Sequence, residues 1–264
     1  MSKITIKTIL EKKSKNEKIT ALTAYDYSFS SILDEAGIDI ILVGDSLGMV
    51  VLGHSTTLPV TMEDMIRHTR AVSKGASKAL LVADMPFLSY QTSESEGIKN
   101  AGILLQNGAE AVKLEGGRSI AQLVKKLTAC GIPVMGHLGL TPQSIHAFGG
   151  YKVQGKTEKS AEILLEEAQL LQEAGCFSIV LECVPKNLAE QLTKSLDIPT
   201  IGIGAGIKCD GQILVLYDCL GLTPEFNPRF AKKFADLREI SFKAVSQYIQ
   251  EVKSSSFPDD AHSF

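Results

Sequence analysis

The chain has 264 residues, 44% hydrophobic and 22% charged, enough apolar material for one large core and too little polarity for long disordered stretches. Its formal net charge of −3 supplies no basic field that would hold nucleic acid or an anionic membrane surface. A single globular domain spanning 1–264, with a small molecule as partner, is the first expectation.

The opening, MSKITIKTILEKK, lacks the apolar stretch of roughly 7 to 15 residues that marks a secretory signal. No later stretch approaches the roughly 20 apolar residues of a membrane span, so a cytoplasmic location with no membrane partner is expected. Residues 8–13 predict a short helix capping the bottom of a barrel. Apolar, β-branched runs then recur at 19–24, 38–44, 79–83, 109–114, 132–136, 177–181, 198–203 and 212–217. Amphipathic stretches at 62–74, 93–106, 119–129 and 159–174 separate several of them. Thr61 followed by Asp64, and Ser93 followed by Glu96, read as capping boxes where two of these helices begin. The seventh run stops at the glycine cluster GIGAG, 202–206, and leaves room for no more than a helical turn before the eighth. Residues 229–253 predict a last outer helix, and 255–264 a frayed tail.

Strands alternating with helices give a parallel sheet. Near-continuous apolar runs mean strands covered on both faces, which suits a barrel or an open doubly wound sheet. Eight runs in a chain near the roughly 250 residues typical of the fold favour a (β/α)8 TIM barrel. The five cysteines are odd in number and form no C-x-x-C pair, as expected of reduced thiols behaving as small hydrophobes.

In such a barrel chemistry collects where strands end, so the first polar residue after each apolar run is the informative one. The runs end in Tyr25 and Asp26, in Asp45 and Ser46, in Asp84, in His137 and in Glu182. The fourth run carries Lys113 and Glu115, whose i, i+2 spacing on a strand sends both side chains into the barrel. One Asp at a strand end is usually a helix cap. Four carboxylates and one lysine meeting in a low-dielectric mouth would repel unless a cation neutralised the excess. All-oxygen ligands point to Mg²⁺. A metal so placed can chelate an α-keto acid, polarise its carbonyl and stabilise the enolate left when the neighbouring carbon loses a proton. Glu115 beside Lys113 keeps that lysine charged, so it reads as an anion contact rather than a Schiff-base nucleophile. His137 is a candidate donor to a substrate oxygen, whereas His54 and His68 read as loop and helix-surface residues. The GIGAG cluster lacks the spacing of a dinucleotide fingerprint but suits close backbone approach to a ligand, phosphate included.

From 9 to 248 the sequence resembles the ketopantoate hydroxymethyltransferase family. The resemblance rests on TAYDYSFS from Thr23, VGDSLGMVVLGHSTTLPVT from Val43, ADMPF from Ala83 and KLEGG from Lys113. It continues through GHLGLTPQS from Gly136, GGYKVQGK from Gly149, LECVP from Leu181, and IGIGAG followed by CDGQILVLYDCLG. It implies a barrel of the phosphoenolpyruvate/pyruvate superfamily type that moves a hydroxymethyl group from 5,10-methylenetetrahydrofolate, a folate co-substrate, to the keto acid 3-methyl-2-oxobutanoate. The product would be 2-dehydropantoate, or ketopantoate, in pantothenate and coenzyme A biosynthesis. Carried over by residue, Asp45, Asp84 and Glu115 would hold one Mg²⁺ per subunit; Asp45, Ser46, Asp84 and Lys113 would contact the keto acid; Glu182 would be the general base, best placed in an apolar pocket away from the metal. Large homo-oligomeric rings, typically decamers, are implied as well. The nearest alternative is a carbon–carbon lyase or phosphonate mutase of the same superfamily, but the K-K-C-G-H loop that those enzymes share is missing here.

Overall fold

The computed structural model describes residues 2–223 and 228–264. Contacts divide the chain into two compact units, Met1–Val215 and Leu216–Phe264.

In the first unit, among the described residues, eight parallel strands close in sequence order into a barrel: β1 (Ile19–Thr23), β2 (Ile40–Val43), β3 (Leu80–Asp84), β4 (Ala111–Glu115), β5 (Val134–Gly139), β6 (Ser178–Glu182), β7 (Thr200–Ile203) and β8 (Gly211–Leu214). Every residue of β2, β3, β4, β5 and β7 is buried, as near-continuous apolar runs require, while β1 and β8 expose Thr20 and Gln212. Connecting helices follow the strands: α2 (Tyr27–Ala36), α3 (Leu47–Val50), α4 (Met62–Ser73), α5 (Glu94–Gln106), α6 (Ala121–Ala129), α7 (Ile145–Phe148), α8 (Glu158–Glu173) and α9 (Lys186–Ser195). The Thr61–Asp64 capping box is complete at the start of α4. At α5 only half of the other box forms: Ser93 accepts from the Glu96 backbone N–H, while the Glu96 carboxylate turns to the Thr92 hydroxyl. Asp26 takes the bland role of a cap, accepting from Phe29 N–H at 2.9 Å. The β7–β8 connection holds turns alone, as its length predicts.

The helix preceding β1, α1 (Ile6–Ser14), lies at the N-terminal end of the strands. Lys12 pairs with Asp39 just before β2 at 2.7 Å, Lys13 pairs with Asp210 just before β8 at 2.9 Å, and Ile9 between them is fully buried. Residues 8–13, where a short helix is expected, fall within α1. Both pairs are partly buried, which spares them much of the screening that makes surface pairs nearly worthless.

In the second unit, the helix expected over 229–253 begins only at Leu237, as α11 (Leu237–Lys253), after the short α10 (Leu216–Cys219). The Asp236 carboxylate caps α11 by accepting from Glu239 N–H at 3.2 Å. The preceding residues are occupied elsewhere: Phe234 N–H donates to Cys219 O and Leu237 N–H to Leu220 O. The tail is locally ordered, with Phe257 edge-on to Tyr248 at 5.8 Å and a 3₁₀ turn at Asp260–His262.

Candidate active site

Strand register gathers the predicted residues. Along the ladders Asp84 pairs with Lys113, Glu115 with His137, and Gly139 with Glu182, so one belt of side chains runs across β3, β4, β5 and β6 at their C-terminal ends. Asp45 joins it from the turn after β2, where its backbone N–H donates to Asp84 Oδ2 at 2.9 Å. A Cβ on Gly44 would stand 2.8 Å from Ser46 Oγ, so a larger residue there would press on that hydroxyl. Ser46 Oγ lies 2.9 Å from the Tyr25 hydroxyl. Asp45, Asp84, Lys113, Glu115 and His137 are each buried, with at most 7% of their surface exposed, and Glu182 is half-buried.

Three buried carboxylates therefore face one buried ammonium. Lys113 Nζ lies 2.8 Å from Asp84 Oδ1, 3.2 Å from His137 Nδ1 and 3.8 Å from Glu115 Oε1. Burial opposes its charge, but Asp84, Glu115 and Asp45 outweigh that and hold its pKa above the ordinary lysine value. A lysine so held is no carbonyl nucleophile. Burial pushes Asp45 well above the usual carboxylate range, and the charges of Asp84 and Glu115 push it further. Burial raises Asp84 too, against the opposing pull of Lys113. Glu115 goes the other way: burial is overcome by His137, by Lys113 and by the Gln143 N–H, and its pKa falls.

His137 bridges the two ends of the belt. Nδ1 is 3.3 Å from Glu115 Oε1, and Nε2 is 3.3 Å from Glu182 Oε2, near enough for charge attraction but not aligned as a hydrogen bond. Burial and Lys113 oppose its protonation, yet the nearby carboxylates of Glu115 and Glu182 prevail and its pKa is pushed up to about 9. Both ring nitrogens thus already face protein carboxylates. The Glu182 side chain is 14% exposed, more than the others of the belt, and this imidazole stands beside it. His68, expected on a helix surface, is half-buried, with Nδ1 2.6 Å from the Tyr25 carbonyl, because α4 packs on α2 there.

Among the described residues no three His, Cys, Asp or Glu side chains already stand as a metal cage. The donor chemistry nonetheless fits Mg²⁺, which uses one or two carboxylates and fills its octahedron with waters and substrate oxygens. The surplus negative charge of Asp45, Asp84 and Glu115 over Lys113, reflected in the raised Asp45, is what a divalent ion would relieve.

Scanning strand ends missed Gln143 and Tyr90. Gln143 sits in the 3₁₀ turn Pro142–Ser144 beyond β5, and its amide nitrogen donates to Asp45 Oδ2 and to Met85 O, each at 2.9 Å. Tyr90, in the turn following β3, accepts from Glu115 N–H through its hydroxyl at 3.1 Å. Both lie several residues past the polar residue that ends their strand, in loops whose return to the mouth no local pattern announces.

Residues 3–260 match the model of the family described as ketopantoate hydroxymethyltransferase. The chain is 60% identical to the 3-methyl-2-oxobutanoate hydroxymethyltransferase of Syntrophus aciditrophicus (strain SB), over 99% of this chain and 97% of that protein. It is 54% identical to the enzyme of the same name from Carboxydothermus hydrogenoformans, over 100% and 96%. Among solved structures it is similar to phosphonopyruvate hydrolase in complex with oxalate and Mg²⁺ (TM-score 0.64, 12% identity, 99% of this chain and 93% of that one). It is also similar to 2,3-dimethylmalate lyase, a phosphoenolpyruvate mutase/isocitrate lyase superfamily member (TM-score 0.62, 14% identity, 100% and 92%). At such identities the structural likeness is one of fold.

Proposed function

The chain belongs to the ketopantoate hydroxymethyltransferase family, and we propose that it converts 3-methyl-2-oxobutanoate, 5,10-methylenetetrahydrofolate and water into 2-dehydropantoate and tetrahydrofolate, a step of pantothenate biosynthesis. The observation that carries this reading is the belt itself, with three buried carboxylates and an ammonium at one end and a separate, more accessible carboxylate, Glu182, at the other.

Asp45 and Asp84, with Glu115 beside them, are the residues that would hold Mg²⁺. An ion held there would supply positive charge beside the substrate and so make the carbon next to its keto group more acidic. Lys113 stays an ammonium and balances the substrate carboxylate. Ser46, tethered by Tyr25, borders the same end. Glu182 takes the proton from C3; water releases the folate methylene as formaldehyde, breaking both of its bonds to nitrogen and leaving a hydrogen on each nitrogen, and the electron pair left on C3 adds to that carbon while its oxygen takes up the proton first removed. Water supplies the hydroxyl oxygen of the product. His137 links Glu182 to Glu115 and can share its proton with either.

Assembly of identical subunits belongs to the same reading and is supported by the exposed Ile240, Phe242, Val245, Tyr248, Ile249 and Val252 of α11. A cytoplasmic setting is supported by five free cysteines, and no described helix is long and apolar enough to cross a membrane.

Incubation with the keto acid, 5,10-methylenetetrahydrofolate and Mg²⁺, followed by mass spectrometry, tests the proposal. 2-Dehydropantoate is expected; its absence, with cleavage of a longer 2-hydroxy or phosphono acid instead, would establish the lyase or mutase alternative.

A further inference from the structure

We infer that Gln143 is a positioning residue for the metal-binding carboxylates, setting Asp45 and Glu115 at a fixed separation before any ion arrives. The inference rests on the Mg²⁺ reading above.

Gln143 is 6% exposed, and every polar atom it has toward the barrel mouth is used. Its amide nitrogen donates one hydrogen to Asp45 Oδ2 and the other to the carbonyl of Met85, the residue immediately after Asp84. Its backbone N–H donates to Glu115 Oε2 at 3.0 Å. Its amide oxygen accepts from the Tyr90 hydroxyl at 2.9 Å and from Gln91 Nε2 at 3.2 Å. One residue on the loop after β5 is thus fastened to the ends of β2, β3 and β4.

The amide has only one workable orientation. Rotated by half a turn, its oxygen would face the Asp45 carboxylate and the Met85 carbonyl, acceptor against acceptor, and its NH₂ would face Gln91 Nε2, donor against donor. The choice is therefore made by the protein and not by a ligand. Packing does not require it, since a side chain of the same length without an amide would fill the same space. What the amide adds is direction. It donates to Oδ2 of Asp45 at 2.9 Å and so fixes how that carboxylate is turned and which of its lone pairs stay open to an ion. Its N–H does the same for Glu115. Outer partners of this sort orient ligating carboxylates and typically govern affinity by about 10- to 100-fold.

The test compares wild-type protein with Gln143→Met and Gln143→Glu. Mn²⁺ affinity of the metal-free protein is read by electron paramagnetic resonance, and kcat and KM by keto-acid C3 deuterium exchange. Gln143→Met is expected to bind Mn²⁺ about 10- to 100-fold more weakly and to raise the keto-acid KM more than it lowers kcat. Gln143→Glu, which keeps the shape but sets a carboxylate against Asp45, is expected to be at least as weak. A space-filling role predicts wild-type Mn²⁺ affinity in both, and that result in either folded variant overturns the inference. Should Gln143→Met fail to fold, Tyr90→Phe carries the test: removing the hydroxyl that holds the amide oxygen is expected to weaken Mn²⁺ binding in the same direction, and unchanged affinity overturns the assignment. Wild-type protein that binds no Mn²⁺ refutes the metal reading itself and removes this inference with it.

Discussion

Gly139→Ala tests whether the β5–β6 ladder sets Glu182, the proposed base. Gly139 ends β5 with φ of 91°, opposite Glu182, and a Cβ there would stand 2.2 Å from the Glu182 carbonyl oxygen and 2.7 Å from Val184 Cγ2. The obstacle is backbone, so no side-chain rotation relieves it. The left-handed conformation alone costs an alanine about 1–2 kcal/mol. The carbonyl must then retreat by about 1 Å, weakening its bond from Leu140 N–H at 2.8 Å, at a further cost of about 1–3 kcal/mol for buried groups left unpaired. The expected loss is about 2–5 kcal/mol, large against a typical stability of about 5–15 kcal/mol but short of abolishing the fold. A displacement of that size at Glu182 should lower C3 proton exchange about 100-fold. Gly131→Ala is the control: its φ is 79° but nothing lies within 4 Å of the added Cβ, so it pays only the conformational part and leaves exchange untouched. Urea unfolding and deuterium exchange on both variants decide the matter. Equal destabilisation of the two, or wild-type exchange in Gly139→Ala, would refute the reasoning.

Glu182→Gln should lower the C3 exchange rate about 10²- to 10⁴-fold with little change in Mn²⁺ affinity; undiminished exchange, measured by NMR, removes Glu182 as base. Lys113→Met strips the belt of its ammonium 2.8 Å from Asp84 and should destabilise the metal-free protein by about 3–5 kcal/mol. Mg²⁺ should then raise its Tm more than that of the wild type, and an equal rise in both would contradict the charge argument. Asp34 titrates away from the site: burial opposes its ionisation, but donors at Ala79, Ser77 and Lys78 prevail and hold its pKa below the usual value. A depressed folded pKa gives stability that is present above the unfolded pKa of about 3.9 and is lost as pH falls through the folded value. Asp34→Asn should therefore be less stable at neutral pH, with a deficit that narrows in acid; a deficit constant from pH 7 to pH 3 in thermal melts would contradict this.

The strands were legible because they are buried on both faces, so the apolar runs at 79–83 and 109–114 needed no amphipathic pattern to be seen. Where a run ended in a charge the strand carried that charge inward: Asp84, Glu115 and Glu182 are each the last residue of their strand. The error over 229–253 has a different origin. Helix-favouring composition extends back to Arg229, but Phe234 and Leu237 give their N–H groups to carbonyls of Cys219 and Leu220, and a helix cannot begin until Asp236 offers a cap. The His137 beside Glu182 could not be read from Leu181 and Cys183, the neighbours of that glutamate in sequence, because side chains alternate along a strand and the imidazole comes from one strand away. Gln143 was invisible for the same reason at longer range.

This cross-strand arrangement explains why the belt keeps its two ends apart. A carboxylate that ligates a cation has its lone pairs engaged and is a poor proton acceptor, so a base that shared the metal with Asp45 and Asp84 would lose the property that it is there to supply. Glu182 stands two strands beyond Glu115, with His137 between them, apart from the proposed metal side yet within one side chain of the same charge system. The greater exposure of Glu182 suits the base proposed for it, because a proton taken from substrate must afterwards leave. On this argument, Gln143→Met and Glu182→Gln should act independently, the first on metal affinity and the second on proton removal, and their effects on the logarithm of the exchange rate at metal well below saturation should add. Strong non-additivity, with the double variant no worse than Glu182→Gln alone, would mean that the two ends of the belt operate as one unit and that the separation drawn here between metal side and base side is wrong.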